Sequence, residues 1–357
     1  MGELRLMKGN EAIAEAAIRA GCDAYFGYPI TPQSEVMEYL MTEKPEERTG
    51  MVVLQAESEV AAINMVYGAA STGKMVMTSS SSPGVSLKQE GISYIAGSEL
   101  PCLIVNVARG GPGLGTIQPG QADYFQSTKG GGHGDYKTLV LAPASVQEMS
   151  DHVKLGFDLA FKYRNPVLIL SDGVIGQMME KVELFDHIPR STTIHKWATV
   201  GKTPDRERNI ITSLDLDPYA NEIHNQKLQA KYRQMEAEEV LFEKIDCDDA
   251  DYIMVAYGCS ARICQKTIQL ARKRGIKVGL FRPITLYPFA SVELAKMAPK
   301  LKGMLAVEMS AGQMIYDVLL ATRQTPQLKV EHFGRFGGVV HNPEEVLEAF
   351  LKIFNIA

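Results

Sequence analysis

Short, almost continuously apolar runs alternate with helical patterns along most of the chain. Asn10 stands where a helix cap belongs, ahead of an apolar face made by Ile13, Ala17 and Ala20, and Gly21 closes that helix. A strand is predicted over 22–28. The alternation continues with strands at 51–54, 74–78, 103–108, 138–141 and 166–170 and helices at 57–71 and 145–162. Apolar strands separated by helices predict an α/β fold in which a parallel sheet is covered on both faces. Ligands of such sheets sit beyond the carboxyl ends of the strands. Thr31, Glu57, the run Ser79 to Ser82, and Arg109 each follow one of these strands, so the pattern sends four polar features to one rim.

From 185 to about 251 the periodicity fades. The stretch 192–217 is polar, and 219–244 reads as one charged helix with Ile223, Met235 and Phe242 as its sparse apolar contacts. A second alternation then begins, with strands at 252–257, 277–281, 303–308 and 329–333 and helices at 260–274 (closed by Gly275), 313–320 and 342–354. The expected organisation is a first α/β domain over 1–190, a polar connector with a long helix over 191–250, and a smaller α/β domain over 251–357.

A length of 357 residues is too great for one ordinary core and agrees with two domains. The net charge of −5 argues against a nucleic-acid or anionic-membrane surface. No apolar run reaches the ~20 residues of a membrane span, and Met1-Gly2-Glu3-Leu4-Arg5 lacks the apolar centre of a signal peptide, so a cytoplasmic protein is expected. Cys22, Cys102, Cys247, Cys259 and Cys264 are scattered, with no CxxC pair. They read as small buried hydrophobes, and no metal site is expected in this chain.

Several stretches carry candidate chemistry. In Tyr28-Pro29-Ile30-Thr31-Pro32 two prolines bracket a lone hydroxyl; each fixes φ and restricts its predecessor, which holds Thr31 in a stiff, extended crook. Glu57 and Glu59 open a helix, where carboxylates compensate the dipole, yet Glu57 also lies in the crevice position beside the preceding strand. Arg109 ends a strand and precedes Gly110, Gly111 and Gly113; its fork suits a planar carboxylate, although a surface arginine before a flexible loop has the same pattern. His133 sits among glycines, and Ser79 to Ser82 offer hydroxyls at a strand end, where a plain polar turn would look alike. Gly68 to Lys74 fits a phosphate loop up to Met75, where a hydroxyl is required; Gly73 is explained as a helix terminator. Ser171-Asp172-Gly173 resembles the start of a magnesium-diphosphate motif, but its asparagine is missing around Lys202.

Four stretches together, KGNEAIAEAAIRAGCDAYFGYPITPQSEV, LQAESEVAAINMVYGAA, TSSSSPGVSLKQEGISYIAGSELPCLIVNVARGGPGLG and VGLFRPITLYPF, resemble the alpha-type subunit of the 2-oxoacid:ferredoxin oxidoreductases. The similarity runs from Met7 to the C-terminus and is greatest to the 2-oxoisovalerate (3-methyl-2-oxobutanoate) branch, with 2-oxoglutarate and pyruvate enzymes as relatives. The resemblance implies a thiamine diphosphate enzyme with its active site between chains. An alpha-type subunit supplies a pyrimidine-binding domain followed by a transketolase C-terminal-like domain. A beta-type subunit holds the diphosphate and magnesium. Iron–sulfur clusters belong to that subunit or to a ferredoxin-like one, a gamma-type subunit completes the complex, and coenzyme A takes the acyl group. A dimer of heteromers is implied.

Residue by residue, the resemblance makes Glu57 the acid that serves the cofactor's ring nitrogen N1′, and Ala56, Ala61, Ala62 and Ile63 are expected to bury it and raise its pKa. Arg109 matches the arginine for the substrate carboxylate, and Thr31 matches the threonine that hydrogen-bonds the substrate oxygens. Tyr28, Pro29, Ser80 and Ser81 fall at the cofactor; His133 and Gln121-Ala122-Asp123 resemble segments near the substrate. Alternatives left open are a 2-oxoglutarate- or pyruvate-specific member and a non-catalytic assembly subunit of the same complex.

Overall fold

The computed structural model describes residues 3–356. The strands are β1 (Glu3–Lys8), β2 (Ala24–Gly27), β3 (Val52–Gln55), β4 (Val76–Ser80), β5 (Cys102–Ala108), β6 (Leu139–Leu141), β7 (Pro166–Asp172), β8 (Met179–Leu184), β9 (Phe242–Ile245), β10 (Tyr252–Val255), β11 (Val278–Pro283), β12 (Thr285–Tyr287), β13 (Gly303–Glu308) and β14 (Lys329–Gly334). Among the described residues they form a seven-stranded sheet in the order β12-β6-β7-β5-β4-β2-β3, a five-stranded sheet in the order β14-β13-β10-β11-β9, and a β1-β8 ribbon.

The sequence predicts the large sheet because β5 (CLIVNVA) and β7 (PVLILSD) are apolar almost throughout, and both are buried along their whole length between helices. The expected parallel pairing holds from β6 through β3. Antiparallel neighbours appear only where strands join from elsewhere: β12 on β6, β9 on β11, and β1 on β8. The two sheets therefore exchange chain across the expected limits. β9 comes from within 191–250 but belongs to the smaller sheet, and β12, from within 251–357, closes the edge of the larger one. The predicted connector helix accordingly ends early: it spans Pro218–Glu238, buries Leu228, Tyr232 and Met235, and leaves Ile223 exposed. Phe242, read as a helix contact, is the first residue of β9.

The helix Ser82–Gly97 was not anticipated, because SPGVSLKQEGISYIAG is small and polar and shows no apolar stripe. It is nevertheless buried on most sides, and Gly91 permits this: a Cβ there would lie 2.6 Å from Ile63 Cγ2 on the neighbouring helix Glu59–Ser71. The glycine readings hold elsewhere. Gly21, Gly73 and Gly275 all have positive φ just past helix ends, and Gly73 ends Glu59–Ser71 instead of cradling a phosphate.

Buried polar contacts lock the two sheets together. Gln121 Nε2 donates to the Tyr257 carbonyl (2.9 Å), while its Oε1 accepts from Ser260 Oγ (2.6 Å) and Met309 N (2.9 Å). Tyr124 OH donates to Asp317, which also pairs with Lys129 at 2.6 Å. A helix carboxylate completes the set: Asp172 Oδ1 accepts from Val174 N and Ile175 N, and its Oδ2 from Cys259 N across the junction. Four of the five cysteines are buried.

Candidate active site

The crook after β2 is held by its carbonyls. Gln33 Nε2 donates to Tyr28 O (3.2 Å), Gln33 N to Ile30 O (3.0 Å), Arg109 Nη1 to Thr31 O (2.9 Å), and both Asn10 Nδ2 (2.7 Å) and Gln177 Nε2 (3.2 Å) to Pro32 O. Gln33 is itself fixed, because its Oε1 accepts from Ser79 Oγ (2.5 Å), which also meets Tyr25 OH at 2.7 Å. Four side chains thus spend hydrogen bonds on a short loop, and the Thr31 side chain is left facing outward, exposed. The two prolines set the backbone; Gln33 within the turn, and Asn10, Gln177 and Arg109 from three other elements, aim it. Asn10 is the correction here: Lys8 occupies the helix cap, and the Asn10 amide reaches the crook.

Arg109, at the end of β5, is 8% exposed. Its Nη2 donates to Leu114 O (3.1 Å), so two of its N–H groups tie the crook to the glycine loop, while Nε is buried without a partner. The backbone at this point is also pinned: Arg109 N donates to Ser82 Oγ (3.0 Å), and that hydroxyl contacts Asp123 Oδ2 (2.7 Å), which accepts from Asn106 Nδ2 (2.8 Å). Burial raises the pKa of Asp123 against the lowering effect of those two hydrogen bonds. Ser82 opens its helix with φ of 22°, a conformation that non-glycine residues adopt at a cost of order 1–3 kcal/mol.

Ser80 and Ser81 are completely buried, and neither hydroxyl has a partner. Together with Arg109 Nε they make a group of buried polar atoms without a hydrogen-bond partner among the described residues, at the ends of β4 and β5. Glu57 reaches the same rim from β3, where Ala56 N donates to Gly27 O (2.8 Å) and so sets the end of β3 beside Tyr28. The expected apolar burial of Glu57 is not found in this chain. Ala56, Ala62 and Ile63 are buried, but they face the core, and Glu57 is exposed with only Ser58 Oγ at 2.9 Å. The strand β3 is an edge strand, and among the described residues the carboxylate that follows it stands open. Pro29 is exposed and Tyr28 half-buried beside it.

His133 is not brought to Thr31 and Arg109. It contacts Ser93 Oγ (3.2 Å) and the Tyr94 ring, eleven residues beyond Ser82 in the same helix and so about 16 Å along its axis. The reason is local: the 129–135 loop folds back onto the middle of that helix, where a Cβ on Gly131 would strike the Gln89 amide. Asp172 is a helix cap with both oxygens used, which agrees with the missing asparagine. Gln33 and Gln177 were not singled out from the sequence; a polar glutamine directly after Pro32 was the available signal for the first, and nothing marked the second.

A cleft of about 490 Å³ opens beside the crook, lined by Thr31, Pro32 and Glu35, by Ile117, Gln118 and Pro119, by Val174 and Gln177, and by Val340 from the smaller domain. Its lining carries one carboxylate and no lysine or arginine.

Residues 15–249 match the family described as pyruvate flavodoxin/ferredoxin oxidoreductase, thiamine diphosphate-binding, and 250–346 match pyruvate:ferredoxin oxidoreductase core domain II. The chain is 48% identical to ketoisovalerate oxidoreductase subunit VorB of Methanothermobacter thermautotrophicus, covering 98% of this chain and 97% of that one. It is 34% identical to 2-oxoglutarate synthase subunit KorA of Methanocaldococcus jannaschii, covering 98% and 100%. The solved 2-oxoglutarate:ferredoxin oxidoreductase of Magnetococcus marinus, with 2-oxoglutarate, coenzyme A and succinyl-CoA bound, superposes with a TM-score of 0.86 at 27% identity, covering 99% of this chain and 66% of that one. A split-gene transketolase shares the fold at a TM-score of 0.61 and 13% identity, covering 98% of this chain and 99% of that one. With two family matches in sequence order and near full-length relatives, the chain belongs to the 2-oxoacid:ferredoxin oxidoreductases, as an alpha-type subunit with a thiamine diphosphate-binding domain.

Proposed function

We propose that this chain supplies the pyrimidine side of a shared active site for the coenzyme A-dependent oxidative decarboxylation of 2-oxoisovalerate, with electrons passing to ferredoxin. The observation that carries the reading is the clamped Thr31–Arg109 pair beside unpartnered Ser80, Ser81 and Arg109 Nε. Those desolvated atoms, with exposed Glu57, Tyr28 and Pro29, fit the aminopyrimidine end of thiamine diphosphate. When bound, that cofactor supplies the carbon nucleophile and electron sink that decarboxylation of a 2-oxoacid needs. This chain's residues do the remaining work. Glu57 holds a proton at the ring nitrogen, Thr31 offers its hydroxyl to the substrate oxygens, and Arg109 positions Thr31 while turning its free N–H groups to the substrate carboxylate.

The exposure of Glu57 on an edge strand supports a site completed by a beta-type subunit, because a proton-exchanging carboxyl must be shielded from water to hold its proton near neutral pH. Placing the diphosphate and magnesium on that subunit is supported by Asp172, whose oxygens are spent on backbone amides. Iron–sulfur clusters are assigned to the beta-type or ferredoxin-like subunits, since the cysteines here are scattered and mostly buried. A gamma-type subunit and a dimer of heteromers complete the proposed assembly. Within it the chain's parts are assigned as 1–190, 191–250 and 251–357, and a cytoplasmic location is inferred from composition.

The test is methyl-viologen reduction by the chain alone and in mixture with its beta-type, gamma-type and ferredoxin-like subunits, coenzyme A, thiamine diphosphate and magnesium. Activity only in the mixture, with 2-oxoisovalerate preferred over 2-oxoglutarate and pyruvate, is expected. A verified complete mixture that turns over none of the three acids overturns the reading.

Substrate choice follows from the cleft beside Thr31. Ile117 and Val340 give it an apolar wall, and its lining offers no lysine or arginine to a second carboxylate. An apolar wall discriminates by about 1–3 kcal/mol per methylene. The change Val340→Arg is therefore expected to lower kcat/KM for 2-oxoisovalerate by roughly 10–200-fold and to narrow or invert its lead over 2-oxoglutarate. Steady-state kinetics with both acids checks this; an unchanged preference removes Val340 from the specificity wall.

A further inference from the structure

Beneath the rim lies a charged group that the reaction above does not use. Lys88, in the second turn of the helix Ser82–Gly97, is completely buried. Its Nζ donates to Thr78 Oγ1 at 2.7 Å and to Ser79 O at 3.0 Å, both on β4. Across from it stands Glu59, 7% exposed, the first residue of the helix Glu59–Ser71. Glu59 is the one charged group that acts on the ammonium among the described residues. The Glu59 carboxylate in turn rests on the first turn of the Lys88 helix: a Cβ on Gly84 would lie 2.7 Å from Glu59 Oε1 and 2.2 Å from the unpartnered Ser80 Oγ.

Lys88 therefore joins two pieces by hydrogen bonds and acts on a third through its charge. They are β4, whose end carries Ser79 and Ser80; the helix that begins at Ser82 beside Arg109 N; and the helix whose first residue is Glu59, two positions from Glu57. A lysine is a poor choice for a structural filler there. Burying an ammonium is costly unless it is paired, and an uncharged residue of that length would pack equally well.

Resting on the shared-site reading, we propose that Lys88 is a positioning residue whose ammonium, hydrogen-bonded to Thr78 and Ser79 with the Glu59 charge nearby, fixes the serine floor and the Glu57-bearing turn in their working arrangement, and that loss of its proton releases them. Protonated or not, Lys88 has N–H donors for its two β4 acceptors; with the proton present its charge also offsets that of Glu59. Without it, Glu59 is left as a buried anion beside Ser80, and the most direct relief is movement of its helix start, which carries Glu57. Burial, opposed by Glu59, holds the Lys88 pKa down to about 7, so the change falls in the physiological range.

Activity and stability should then respond to pH in opposite directions. The unfolded chain binds this proton up to the ordinary lysine value, so between about pH 7 and about pH 10 it holds more protons than the folded chain, and Lys88 makes stability rise with pH. Turnover, needing the ammonium, falls over the lower part of the same window. A merely structural lysine would give the stability change without the fall in turnover.

The experiment uses the reconstituted complex from pH 6 to 9. It reads methyl-viologen reduction, the dissociation constant of thiamine diphosphate by intrinsic fluorescence, and melting temperature. Wild type is expected to lose turnover and bind the cofactor several-fold more weakly as pH rises through about 7. In Glu59→Gln, which removes the charge that sustains the ammonium, both changes move to lower pH. In Lys88→Met both flatten, and the pH-dependent gap in melting temperature against wild type appears. Should Lys88→Met fail to assemble, Glu59→Gln decides alone. An alkaline limb and a cofactor affinity that stay at the same pH in Glu59→Gln overturn the proposal. A wild-type complex that turns over no 2-oxoacid refutes the shared-site reading instead, and the cofactor-affinity profile still reports on Lys88.

Discussion

Glu57→Gln lowers turnover of the reconstituted complex by about 10²–10⁴-fold, the range that positioned proton transfer contributes, while subunit assembly stays intact. Glutamine keeps the shape and one hydrogen-bonding oxygen but cannot lend a proton. Glu57 is exposed, makes a contact only to Ser58 Oγ, and supports no part of the core, so its loss costs the fold little. Size-exclusion chromatography of the complex and methyl-viologen reduction separate the two effects. Full activity in an intact complex would make this chain an assembly subunit and remove the catalytic role.

Arg109→Lys lowers kcat/KM by about 10²-fold or more, because a misplacement of the order of 1 Å at a reacting group already costs that much. Lysine cannot reproduce the fork that bonds Thr31 O and Leu114 O together. With both acceptors on exposed residues, the loss falls on the geometry of the crook, which relaxes once the two bonds are gone. Hydrogen exchange in the complex should accordingly quicken at the amides of 30, 31 and 33 and of 114–116, and not at β5 itself. Activity within a few-fold of wild type, with unchanged exchange, would show that Thr31 is aimed without Arg109.

These two residues illustrate different degrees of legibility. Glu57 was readable from its place between a strand and a helix, but its environment was not: burial was expected from Ala56, Ala61, Ala62 and Ile63, which are local in sequence, whereas the edge position of β3 leaves the carboxylate open. Arg109 was readable as a strand-end arginine beside glycines, yet its present partners, Thr31 O and Leu114 O, depend on how β2 and β5 stand in the sheet. His133 was drawn in by its glycine-rich setting, and the structure places it on the middle of the Ser82–Gly97 helix, beside Ser93 and Tyr94.

By itself the sequence determined the alternation of strands and helices, the parallel sheets, the glycine helix ends, the proline-bracketed Thr31 and the family. All of these rest on short-range rules: apolar runs, side-chain periodicity, fixed φ at proline and free φ at glycine. The tertiary structure alone decided which side chains meet. It sent Asn10, Gln33, Gln177 and Arg109 to the crook, made a helix of a small polar stretch by burying it against Ile63, and moved β9 and β12 between sheets. It also hid Lys88 beneath the serine floor against Glu59. Such contacts join positions tens to hundreds of residues apart, and their energies come from burial and hydrogen bonding that no local pattern encodes.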